Sequence, residues 1–172
     1  MMRATPILAA LSVSLFGVML WLVHSVLKPA AQGLAPFDER GLGYSLDDAQ
    51  TYLSTLDSTG KALYLVELRL LDSAFPVVLA LLLGHLIMNQ AANMHPWSRL
   101  VLVIPAAGYA MMDLCENALV AGLLRAGADG ITPEMVARAS QFTVSKWVLL
   151  LISLGLLLVL SMLRMRQEKG RD

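Results

Sequence analysis

Two carboxylates and an amide stand in the middle of an otherwise apolar stretch: Asp113, Glu116 and Asn117, within Ala107 to Gly122. Their three- and four-residue spacing puts them on one face of a helix, with Tyr109 a turn before and Val120 a turn after. Ionisable groups in hydrocarbon are costly, so they face a bundle interior, find partners and often mark a working site. Grouped carboxyls can bind a small cation or an amphiphile, relay protons, or do general acid–base work on a lipid-like substrate. The competing role is a register lock. Interhelical polar contacts contribute only about 0.6–2 kcal/mol each, yet they specify geometry well.

Other apolar runs carry polar groups too. Arg69 and Asp72, spaced i,i+3, can pair on one helix face, while Glu67 points elsewhere on the wheel. Pro76 cannot donate to the carbonyl of Asp72, which frees that oxygen beside the carboxylate. Lys146 is the lone charge of the last apolar run. At ~1.5 Å per residue, Asp72, Asp113 and Lys146 lie roughly 24, 21 and 26 Å from one membrane face. A hydrocarbon core is about 30 Å thick, so all three share its outer half, where His24 also falls. Glu67, Asp72, Asp113 and Glu116 outweigh Arg69 and Lys146. That residual acidity calls for a proton or an entering cation. The candidate polar site is therefore Asp72, Asp113 and Glu116 as working groups, Lys146 and Arg69 as counter-ions, and Asn117 as a positioning amide. Glu67 and Tyr109 complete it.

The elements that must position these groups are membrane helices. Of 172 residues, 57% are hydrophobic and only 15% charged, with mean hydropathy +0.65. A soluble domain has about 25% charged residues. Basic and acidic residues cancel at thirteen each, and no basic run points to nucleic acid. A single cysteine, Cys115, excludes an internal disulfide and a cysteine-built metal site. Three scattered histidines and the absence of a phosphate-cradling glycine loop or nucleophile elbow leave no cofactor or metal to expect.

Four spans are predicted, at about 7–27, 62–88, 99–124 and 141–163, in one domain. The first competes with a signal peptide, but its largely apolar run of 21 residues exceeds the about 7–15 of an h-region. Between the first two spans, residues 28–61 form the only long polar segment. Ser45 with Asp48 reads as a capping box, and Leu46, Ala49, Leu53 and Leu56 recur at helical spacing. This predicts an amphipathic surface helix that ends near Gly60 and serves as a connector over the bundle or a lid over a pocket. Thr132-Pro-Glu134 predicts a capped start that runs into the fourth span. Arg3, Arg99 and the basic tail flank one side, against Lys28, Arg40, Lys61, Arg125 and Arg138 on the other. The dense cluster after the last span places both termini in the cytoplasm, with the chain in the cell inner membrane.

Gly60-Lys-Ala-Leu-Tyr64, Asp72 with Pro76, Asp113-x-x-Glu116-Asn117 and the lysine of the last span make residues 45–150 similar to small uncharacterised bacterial four-span membrane proteins. The resemblance implies an all-α four-helix membrane bundle and brings no activity with it. The sequence thus predicts a binding or transport component, or an accessory subunit with a protein partner or a second copy of itself. A membrane-embedded enzyme with paired carboxylates is the alternative. The expected ligand is a small cation or an amphiphile.

Overall fold

A computed structural model describes residues 4–169. Among them there are five helices and no strand: α1 (Ala4–Ala30), α2 (Leu46–Thr55), α3 (Ser58–Gln90), α4 (Pro96–Ala126) and α5 (Pro133–Lys169). All but α2 are long and apolar enough to cross a membrane, so the chain is an all-α, multi-pass four-helix bundle. Each span is longer than its apolar run alone predicts. At the start of α5 capping explains the excess: Thr132 Oγ1 accepts the Met135 N–H at 3.3 Å, so the helix begins well before its apolar stretch. Arg3 and Arg171, which entered the orientation argument, lie outside the described residues.

The amphipathic helix is present but shorter than predicted. Its capping box forms as expected, with the Asp48 N–H on Ser45 Oγ at 3.2 Å and the Ser45 N–H on Asp48 Oδ2 at 2.9 Å. Hydrogen bonds from Ser45 hold the Asp48 carboxyl below its ordinary range. The helix then stops at Thr55 rather than near Gly60, because Leu56 takes an extended conformation. Asp57 caps a new helix by accepting the Gly60 N–H at 2.7 Å, so Gly60 belongs to the first turns of α3.

Gly60 is needed there for close approach. A Cβ on it would lie 2.6 Å from the Ala30 Cβ and 2.7 Å from Leu56 Cδ1. The Ala30 Cβ is fixed to its backbone, so α1 and α3 would have to part. Gly60→Ala is expected to cost about 1–2 kcal/mol, the overpacking outweighing a helix-propensity gain of ~1 kcal/mol. The check is a detergent melting temperature. An unchanged or higher value would show that the two helices separate freely.

Packing follows chain order with one diagonal. α1 lies along α3, α3 along α4, α4 along α5, and α3 also touches α5; α1 does not pack along α5. The apolar core sits at the end of the bundle covered by the 31–57 connection, hereafter the cap end. Leu27, Phe37, Tyr52, Leu123, Leu124 and Val136 are wholly buried there. The Phe37 ring meets Tyr44 at a tilt, 4.8 Å between centroids, and Tyr52 edge to face at 4.9 Å, and the Arg40 guanidinium lies over Phe37 and Tyr52. Burial pushes the Tyr44 and Tyr52 hydroxyls above the ordinary phenol range. Farther down, the spans expose large side chains such as Ile7, Leu151 and Leu158, as hydrocarbon-facing helices do.

Candidate functional site

The polar residues of α3, α4 and α5 meet at the cap end. α4 brings Asp113, Glu116 and Asn117 to one buried face, as their spacing requires. From α5, Lys146 Nζ lies 2.8 Å from Asp113 Oδ1 and 2.5 Å from Glu116 Oε2. Thr143, one turn earlier, donates to Glu116 Oε1 at 2.6 Å. Asn117 reaches across to α3 and donates its amide to the Asp72 carbonyl at 3.0 Å, the oxygen that Pro76 leaves free. It also lies 3.4 Å from Asp113 Oδ2. Five side chains on α4 and α5 and one main-chain carbonyl of α3 thus fix one another.

Asp38, which the sequence reading did not single out, completes the group. It sits in a 3-10 turn, Phe37–Glu39, within the strap between α1 and α2. Its carboxylate lies 3.3 Å from Lys146 Nζ and accepts the Tyr64 hydroxyl at 2.6 Å. Its carbonyl accepts the Trp147 indole N–H at 3.0 Å. Next to it, Glu39 pairs with Lys28 of α1 at 2.8 Å. The one available signal was Phe37, an aromatic ring inside an otherwise polar loop, and that ring is wholly buried.

Two expected members, Arg69 and Glu67, lie elsewhere, as does His24, which depth alone puts in the same layer. Arg69 does not pair with Asp72: it is half-exposed while Asp72 is buried, so the two side chains leave α3 toward different surroundings. Glu67 is exposed. His24 is exposed as well, with its ring 3.0 Å from the Leu20 carbonyl. Asp72 therefore has no counter-ion in contact. Its carbonyl is satisfied, but no side chain among the described residues hydrogen-bonds or pairs with its carboxyl.

Asp72, Tyr109, Asp113 and Lys146 line a cavity of about 600 Å³. It occupies the side of the bundle where α1 faces α5 without packing on it. The strap, through Pro36, Asp38 and Glu39, closes its polar end. Below the acids its wall is apolar, from Phe16 and Val13 on α1 through Leu79 and Leu82 on α3 to Leu150 on α5. Glu116 and Asn117 stand behind this wall, holding Lys146, Asp113 and α3 in place. Among the described residues, no three His, Cys, Asp or Glu side chains converge to hold a metal ion. Compared with known proteins, the chain matches no family model, no curated protein and no solved structure.

Proposed function

We propose that this chain is a membrane binding component that takes an amphiphile from the bilayer into the cavity between α1 and α5. The observation that carries this reading is the cavity's division into two parts. One end is acidic and roofed by the strap, and the rest is apolar and flanked by two helices that do not pack together. Ligand cavities commonly enclose about 300–1,000 Å³ and are mostly apolar with a few convergent polar groups, a description that fits this one. The basic residues around the spans support a cell inner membrane setting with both termini cytoplasmic.

Filling the cavity tests the reading. Leu150→Trp adds bulk to a half-buried position on its wall, one helical turn below Lys146 and outside the ion pairs themselves. Protein purified in mild detergent is expected to carry a tightly held amphiphile, quantified by native mass spectrometry. The Leu150→Trp variant is expected to lose most of it while keeping its melting temperature. Equal occupancy in both proteins would overturn the proposal.

A membrane-embedded enzyme is the second reading. The Asp72 carboxyl favours it, because it opens onto the cavity without a protein partner beside the salt-bridged Asp113. Turnover of a bound amphiphile by the wild type, abolished in Asp72→Asn, would select this reading over simple binding.

A further inference from the structure

Three observations say what kind of head group the cavity would accept, taking the amphiphile reading as their premise. The first is charge. Asp38, Glu39, Asp72 and Asp113 line the cavity with one ammonium, Lys146; Glu116 lies behind them, and Glu39 is paired with Lys28. Lys146 is already held by Asp38, Asp113 and Glu116, and no other basic side chain lines the cavity. An anionic head would meet four lining acids and no free base.

The second observation is Asp72 itself. It is 7% exposed, and among the described residues its carboxyl is the one lining acid without a side-chain partner. Lining acids that do not converge as a metal shell suit an organic cation, which needs a single carboxylate and an apolar surround.

The third is independent of the acids. Ser12 of α1 is 5% exposed, lines the cavity, and its hydroxyl has no partner. Ser73, Ser153 and Ser161 each donate to the carbonyl four residues back, the ordinary solution for a serine in an apolar helix. Ser12 does not. The Phe16–Phe75 contact sets the register of α1 on α3, which puts Ser12 near the level of Leu79, about 10 Å below Asp72. A buried hydroxyl left open on a cavity wall is completed by a molecule in that cavity.

We propose that the cavity takes a long-chain cationic amphiphile, its ammonium held at Asp72 and its chain laid between α1 and α5 past Ser12. The strap then lies over the head group, and the chain runs beside Phe16, Leu79 and Leu150 toward Leu82.

Dodecylamine, dodecanol and dodecanoate share one chain and differ only in the head, so they separate this inference from its premise. Each is titrated against the purified full-length protein in mild detergent, with Leu150→Trp as the blocked control. The amine is expected to bind about tenfold or more tighter than the alcohol, with dodecanoate weakest. Asp72→Asn is expected to fold with an unchanged or raised melting temperature and to level amine and alcohol. Equal binding of all three by the wild type, or a lead for dodecanoate, overturns the cationic head group and leaves the amphiphile reading standing. An amine preference that survives Asp72→Asn overturns the inference as well. If none of the three binds better than to Leu150→Trp, the premise falls too. The comparison of heads on the wild-type chain decides the matter even if Asp72→Asn does not fold.

Discussion

Lys146→Met is expected to be the most damaging single substitution in the protein, lowering its stability by about 3–5 kcal/mol. Lys146 is 5% exposed and holds Asp113, Glu116 and Asp38 at 2.5–3.3 Å. Removing one partner of a buried ion pair leaves the other uncompensated, and here three carboxylates are left at once. Methionine fills much of the volume, so the loss is electrostatic rather than a cavity. Asp113→Asn should be mild by comparison. The amide keeps hydrogen bonding, and Lys146 retains two acids. Adding Asp113→Asn and Glu116→Gln to Lys146→Met should then recover part of the loss, since the repulsion left behind is relieved. Detergent melting temperatures of these variants give the answer. A Lys146→Met protein as stable as the wild type would show that the carboxyls do not depend on the ammonium.

The α4 face and the Pro76 carbonyl were legible in the sequence because helical spacing and the chemistry of proline are local properties. Asp113, Glu116 and Asn117 share a face by their numbers alone, and Asn117 takes the oxygen that Pro76 frees. The pairing of Lys146 was legible only in part. Depth counting put it level with Asp113, but counting does not say which way a side chain turns. That is why Arg69 and His24, placed at suitable depths, prove not to join the group. Asp38 was hidden for another reason. Its position depends on a strap of irregular chain folding back over the bundle, and no periodicity encodes such a path. Ser12 was equally silent, since a serine in an apolar run usually bonds its own helix.

The same strap supplies the second large effect. Asp38→Ala is expected to cost about 2–3 kcal/mol and to loosen the roof of the cavity. Asp38 is the only strap residue whose side chain bonds both α3 and α5, through Tyr64 at 2.6 Å and Lys146 at 3.3 Å. Tyr64 is 5% exposed, so alanine leaves a buried hydroxyl without its acceptor, and Lys146 loses one of three acids. Asp38→Asn should cost less, because the amide oxygen still accepts from Tyr64. A rival anchor exists in Phe37, whose buried ring packs on Tyr44 and Tyr52 and owes nothing to charge. Hydrogen exchange separates the two. If Asp38 is the latch, Asp38→Ala speeds exchange at Arg40 and Gly43, whose N–H groups bond within the strap, more than it speeds exchange in α5. If those amides keep their wild-type protection in Asp38→Ala, Phe37 alone holds the strap and the latch is sunk. The outcome bears on binding, because a latch of one carboxylate opens more readily than an aromatic core. It would let the polar end admit a head group without unpacking the bundle.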